Sequence, residues 1–233
     1  MAENKLANIV IGVNGTGMMG GAHAVRHATL GLPVVIGSRD PAKAQKLARE
    51  IGKPNVSGGS LAEMVEKANF IISAIPAASL THFFDTHRDA IVGRGKMFVD
   101  LSVTFSRRGS ESGHGLATAN ETPPPKVSDG PNWRGPYYDM CNYLKDRLND
   151  PSTSFVKAWH NLIFYSITDN NVQAVECAGD PAAKEVAMAM MHAEGWEPLD
   201  CGGIADVPKV ETGFHERRWR HPRHLEYNGP DHP

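Results

Sequence analysis

The sequence predicts an α/β fold, a doubly wound and mostly parallel sheet with helices on both faces. Three observations carry that reading. Short apolar runs alternate with helix-length segments from Asn8 to Leu101, the segments are punctuated by capping residues and glycines, and the first strand-to-helix junction is the loop Gly15-Thr16-Gly17-Met18-Met19-Gly20. Strands that alternate with helices of this length imply parallel pairing with both faces covered.

Asn8 to Val13 is an apolar run, and from Met18 to Leu30 the pattern turns helical and ends at Gly31. Leu32 to Gly37 is a second strand. Pro41 to Ile51 opens with proline in a first helical turn and stops before Gly52, so it reads as a helix. The rhythm continues with a strand around Val56, a helix from Ser60 to Lys67, a strand from Asn69 to Ala74, a helix from Ser79 to Ala90 and a strand from Met97 to Leu101. After Ser102 it stops. Ser106 to Pro136 is rich in Gly, Ser, Thr, Asn and Pro, and reads as an insertion, either a lid or a disordered segment. Tyr137 to Leu148 then predicts a helix, Phe155 to Trp159 and Val172 to Ala178 strands, Pro181 to Ala193 a helix capped by Asp180, and Trp196 to Cys201 a last strand. The expected organisation is one Rossmann-like domain over residues 1–213, interrupted by the 106–136 insertion, and a polar arm over 214–233.

A chain of 233 residues can bury a real core. Its formal net charge of -2 offers no footprint for nucleic acid or an anionic membrane. Cys141, Cys177 and Cys201 are odd in number and lack C-x-x-C spacing, which argues against a disulfide framework and a zinc site and fits the cytoplasm. No apolar run approaches the ~18 residues of a membrane helix, and the first residues show no targeting pattern. A small-molecule partner is expected. In the tail, Arg217, Arg218, Trp219, Arg220, His221 and Arg223 form either a solvated arm or one that folds over a partner subunit or the acidic part of a substrate; a homodimer is expected.

The glycine loop sits where dinucleotide binding demands, between a strand and a helix. Gly15 makes the tight turn, Gly17 lets the backbone approach a pyrophosphate, and Gly20 permits close packing, while the helix N-terminus offers free N–H groups to phosphate. The competing reading is a glycine-rich turn that holds nothing. The end of the second strand separates NAD from NADP, because it meets the ribose 2′ substituent. Here it reads Gly37-Ser38-Arg39-Asp40, with a hydroxyl and a guanidinium where an NAD enzyme places a carboxylate. Ser38 and Arg39 suit a 2′-phosphate, so NADPH is expected. Asp40, followed by Pro41, reads as a helix N-cap.

The segment GVNGTGMMGGAHAVRHATLGLPVVIGSRDPAKAQKLA resembles the NADP-binding domain of deazaflavin-dependent NADP reductases, and is similar to the NADPH:flavin reductase domain of the STEAP metalloreductases. The likeness resumes at ANFIISAIP (68–76), FVDLS (98–102), SFVKAWHNL (154–162) and AGDPAAKEVAMAMMHAEGWEPLDCGGI (178–204), which leaves out the insertion and the tail. The resemblance implies hydride transfer between NADPH and a flavin or deazaflavin. It assigns Thr16, Gly17, Met18 and Met19 to the pyrophosphate loop, Ser38 and Arg39 to the 2′-phosphate, and Ala74, Ile75 and Pro76 to the nicotinamide ribose. It also places His160 near the nicotinamide.

Hydride transfer to a flavin-type ring needs stacked rings and excluded water, whereas reduction of a carbonyl or imine needs a positioned proton donor. The sequence holds no Tyr-x-x-x-Lys. Should a donor exist, His160 is the candidate, with Tyr165 behind it; His160 is equally read as a histidine bonded to backbone at a strand end. Lys157 reads as a strand lysine whose stem reaches solvent. Met18, Met19, Met188, Met190 and Met191 have helical spacing and read as core packing. Three functions stay open: a flavin or deazaflavin reductase, a reductase of a specialised imine, enone or carbonyl enclosed by the insertion, and a non-enzymatic NADPH sensor.

Overall fold

A computed structural model describes residues 5–102, 139–160, 162, 164–170 and 174–212. The 106–136 insertion and the 214–233 arm, with its Arg/His cluster, lie outside the described residues, and so does the division of the chain that rests on them.

The elements follow in order as β1 (Ile11–Asn14), α1 (Met18–Thr29), β2 (Val34–Ser38), α2 (Pro41–Ile51), β3 (Val56–Ser60), α3 (Leu61–Lys67), β4 (Phe70–Ser73), α4 (Ala77–Thr86), α5 (Arg88–Ile91) and β5 (Met97–Asp100). After the undescribed stretch come α6 (Met140–Leu148), β6 (Ser154–Ala158), α7 (Phe164–Thr168), β7 (Ala174–Gly179), α8 (Pro181–Ala193), β8 (Glu197–Asp200) and α9 (Val207–Thr212). The strands form one sheet in the order β3-β2-β1-β4-β5-β6-β7-β8. Pairing is parallel throughout except between β6 and β7. The chain moves outward from β1 through β2 to β3 and then returns to β4 on the other side. That reversal opens a crevice beyond the carboxyl ends of β1 and β4, where open α/β sheets bind ligands.

Alternation along the strands divides the core in two. Ile11, Val13, Phe70, Ile72, Val99 and Val156 point to the face covered by α1 and α8, with Ala24, Ala28, Ala187 and Met190 packed on them. Ile71, Phe98 and Phe155 point to the other face, against Met64, Leu80, Phe84 and Leu144 of α3, α4 and α6. Strands buried on both sides are the reason the runs read as continuously apolar.

Local signals place several boundaries. The Asp40 carboxylate accepts from Ala42 N–H at 3.1 Å and Pro41 occupies the first turn, so α2 starts as expected. Ser60 and Glu63 form a reciprocal capping box on α3. Asp180 stands at the N-cap position of α8 but does not cap it; its carboxylate instead accepts from Phe155 N–H at 2.9 Å and pairs with Lys145. The single helix expected from Ser79 to Ala90 is two. It breaks at His87 (φ -108°, ψ 15°), whose ring packs on Phe83 with centroids 5.0 Å apart. Helices α7 and α9 carry no sequence signal of their own.

Two expectations about side chains are overturned. Met190 and Met191 are core residues, and Met19 and Met188 pack on the core's edge, but Met18 is 58 % exposed on the outer face of α1. Lys157 does not reach solvent: it is 1 % exposed and pairs with Asp100. Helical spacing cannot tell the two sides of a first turn apart, and a strand lysine can stay inside when its neighbour supplies a carboxylate.

Candidate functional site: a cofactor crevice at the carboxyl ends of β1, β2 and β4

The crevice holds a cavity of about 450 Å³. Its floor is the glycine loop, with Gly15, Thr16 and Gly17 lining it. Gly15 has φ +123°, a region closed to most L-residues, and a Cβ there would lie 2.7 Å from the Ala74 carbonyl oxygen. Gly20 packs even more closely, since its Cβ would stand 2.2 Å from the Gly15 carbonyl oxygen. It therefore holds α1 against the loop's own first turn.

One wall is the end of β2, Gly37, Ser38 and Arg39. The Ser38 hydroxyl accepts from Asp40 N–H at 3.2 Å, and Asp40 is committed to its cap. The opposite wall begins with Ala74, Ile75 and Pro76 and continues along α4 with Ser79, His82, Phe83 and Thr86. His87 and Leu61 complete it. Among the described lining residues the ionisable side chains are Arg39, His82 and His87, so no carboxylate faces the cavity. Burial and the neighbouring His82 hold the His87 imidazole below its ordinary pKa. A site with a guanidinium and a hydroxyl at the end of β2 suits a 2′-phosphate and gives a 2′-hydroxyl no carboxylate to bond.

The structure thus brings eight of the eleven expected cofactor residues to one cavity: Gly15, Thr16, Gly17, Ser38, Arg39, Ala74, Ile75 and Pro76. Gly20 lies behind the loop as packing, Met19 sits at the core edge, and Met18 lines a second groove with Gly21 and Val25 along α1 that meets the cavity at Thr16 and Gly17. His160 is elsewhere. It is 2 % exposed, its Nε2 donates to the Val210 carbonyl at 3.2 Å, and it is not among the cavity's lining residues. Tyr165 falls in α7, with its side chain outside the described part.

His160 owes its direction to the residue before it. Trp159 leaves β6 with φ +55°, rare for a bulky side chain, and buries its indole edge-on against His23 (5.6 Å) and His27 (5.7 Å) of α1. No pattern in the sequence announces that turn. Nor does one announce the polar row along the carboxyl edge of the sheet: Asn14, Ser73, Asp100 and Lys157 are register neighbours on β1, β4, β5 and β6, and all are buried. Lys157 Nζ lies 2.8 Å from Asp100 Oδ2 and also donates to the Ser102 carbonyl, while Asp100 Oδ1 accepts from Ser102 N–H at 2.8 Å. The pair fixes the chain as it leaves β5. Nearby, burial pushes the Asp139 carboxyl up, opposed by its bonds to Asn142 and by the charge of Lys157. The α4 wall carries no motif of its own in the sequence; the signal for it is its place, a helix following β4 at the switch point, which must face the crevice.

No helix among the described residues is long and apolar enough to cross a membrane. Residues 10–104 match the family described as NADP oxidoreductase, coenzyme F420-dependent. Among solved structures, a candidate F420-dependent NADP-reductase from Arthrobacter sp. FB24 is 21 % identical, covering 88 % of this chain and 90 % of its own, with a TM-score of 0.66. A protein of unassigned function from Sinorhizobium meliloti is 17 % identical over 86 % of this chain and 88 % of its own, with a TM-score of 0.64. An imine reductase from Pseudomonas sp. is 16 % identical over 89 % of this chain but 61 % of its own, with a TM-score of 0.60. At such identities the structural likenesses speak for the fold alone, and the family match covers the stretch that supplies most of the crevice. From β1 to the end of β5 the chain is similar to the coenzyme F420-dependent NADP oxidoreductases, and it is an NADP-dependent oxidoreductase.

Proposed function

We propose that the protein transfers hydride between NADPH and a flavin or deazaflavin acceptor. The observation that carries this is the make-up of the crevice: a glycine loop, Ser38 and Arg39 at the end of β2, and a wall of Ala74, Ile75 and Pro76, with no described acid lining it. A flavin-type ring accepts hydride by stacking on the nicotinamide and needs no protein acid at the reacting carbon. The match over residues 10–104 to a coenzyme F420-dependent family favours the deazaflavin. In this reading Gly15, Thr16 and Gly17 cradle the pyrophosphate, Ser38 and Arg39 take the 2′-phosphate, and Ala74 to Pro76 run past the nicotinamide ribose. The working unit is a homodimer in the cytoplasm.

The test is NADPH oxidation followed at 340 nm with FMN, FAD, riboflavin and coenzyme F420 in parallel. Turnover with one of these, and none with simple imines or enones, is the expected result. The second reading, a reductase of a specialised imine, enone or carbonyl, draws support from the fold likeness to an imine reductase. It predicts the reverse pattern, together with loss of turnover in His160→Ala at unchanged NADPH affinity. Tight NADPH binding without turnover of any acceptor would point to a sensor.

A further inference from the structure

One polar group on the cavity wall has no partner among the described residues. Asn14 ends β1, is 1 % exposed and lines the cavity, yet its side-chain Nδ2 makes no hydrogen bond to any described residue. The backbone around it is fully engaged: its carbonyl accepts from Ala74 N–H at 3.0 Å, and the residue pairs in register with Gly37 on one side and Ser73 on the other. The sheet therefore fixes where the side chain starts, and the amide is not placed there to support a strand or a turn. Native interiors rarely leave an amide N–H desolvated and unpaired. Such a group is explained when a ligand supplies the acceptor.

We propose that Asn14 is a cofactor ligand, its Nδ2 donating to an oxygen of the dinucleotide between the glycine loop and the Ala74–Pro76 turn. Asn14 immediately precedes Gly15 and lies beside Ala74, and both of these line the same cavity. In that stretch a dinucleotide presents oxygens alone as strong acceptors, either of the pyrophosphate or of the adjoining ribose. Donating to either satisfies the amide and fixes the cofactor at the point where its two halves diverge. The inference rests on the reading that this cavity holds NADPH.

The experiment compares the unmodified full chain with Asn14→Ala and Asn14→Asp, reading NADPH affinity by fluorescence titration and thermal stability without cofactor. Asn14→Ala should bind NADPH roughly tenfold or more weakly, the scale of one hydrogen bond to a charged or strongly polar acceptor. Its stability without cofactor should hold or rise, because no bond is lost. Asn14→Asp keeps the shape but turns a donor into an anion facing an anionic ligand, and should weaken binding further. Repeating the titration with 2′-phospho-ADP, which has the pyrophosphate but no second ribose, separates the two acceptors: a retained effect assigns the pyrophosphate, a vanished one the ribose. NADPH affinity unchanged in both variants, or a fall in stability with affinity intact, would overturn the proposal. If Asn14→Ala loses both, Asn14→Asp decides, since a stable variant that binds as well as the unmodified chain overturns it and one that does not supports it. Failure of the unmodified chain to bind NADPH would remove the cavity reading and this inference together, a result distinct from normal binding that is insensitive to Asn14.

Discussion

Lys157 and Asp100 face each other across β5 and β6 and form an ion pair, 2.8 Å from Nζ to Oδ2, with side chains only 1 % and 3 % exposed. Removing one partner leaves the other charge buried and uncompensated, which typically costs about 3–5 kcal/mol. Lys157→Met should lose stability on that scale in urea denaturation. Lys157→Met combined with Asp100→Asn should recover most of it, because the stranded carboxylate is gone; a double variant as unstable as the single one would show that packing, not charge, sets the effect.

Arg39 is the cation at the end of β2, and nothing else along that wall carries charge. Arg39→Ala should weaken NADPH binding by about 10- to 100-fold, the scale of charge-assisted hydrogen bonds, and leave NADH binding nearly unchanged. Paired titrations of the two cofactors measure it. Equal binding of NADPH and NADH by the unmodified protein would show that Ser38 and Arg39 do not meet the 2′-phosphate.

Two glycines of one loop should respond to alanine in opposite ways. At Gly17 a Cβ meets nothing within 4 Å, so Gly17→Ala should keep its stability and lose cofactor affinity by tenfold or more as the methyl blocks the phosphate's approach. At Gly20 the Cβ would stand 2.2 Å from the Gly15 carbonyl oxygen, so Gly20→Ala should lose about 1–3 kcal/mol of stability before any ligand is added. Thermal melts without and with NADPH separate the two.

The buried junction of α1 with the end of α8 sets a pH profile. Burial pushes the Glu194 carboxyl up to about 8, with Arg26 opposing, and Oε1 lies 3.8 Å from Arg26 Nε and 3.4 Å from His27 Nδ1. Burial alone holds His23 down to about 3, and it holds His27 well below its ordinary value with help from His23 and Arg26. The His27–Glu194 contact is therefore one between neutral groups at neutral pH. The contribution of Glu194 is complete below its unfolded value of 4.5 and is lost as pH rises through about 8. That of His23 is complete above 6.5 and is lost as pH falls toward about 3. Between 4.5 and 6.5 the fall from Glu194 offsets the rise from His23, and His27, held down as well, leaves a net rise; stability therefore peaks near pH 6.5 and falls by about 2 kcal/mol from pH 6.5 to 8. Glu194→Gln should flatten that alkaline limb, as urea titrations at successive pH values would register; an unchanged limb would place the titrating group elsewhere.

Much of the crevice is legible in the sequence because its parts are consecutive. The positive φ of Gly15, the cap of Asp40 with Pro41 behind it, and the Ser38-Arg39 pair at a strand end each depend on neighbours within a few residues, where steric limits and local hydrogen bonds act. The alternation of strands and helices is equally local. Strand direction is not, and periodicity cannot tell that β7 runs against β6 while the rest of the sheet is parallel.

What the tertiary structure alone decides involves residues far apart in the chain. Burial of Lys157 requires Asp100 beside it, 57 positions away. The exposure of Met18 depends on which side of α1 the sheet occupies. The direction of His160 depends on the left-handed turn at Trp159 and on the Val210 carbonyl that accepts its hydrogen bond. The unpartnered amide of Asn14 becomes visible when β1 is seated between β2 and β4 and nothing on either reaches it. Propensities and caps are short-range and can be read along the chain, whereas burial and charge pairing are properties of the packed interior and exist only once the sheet has brought those residues together.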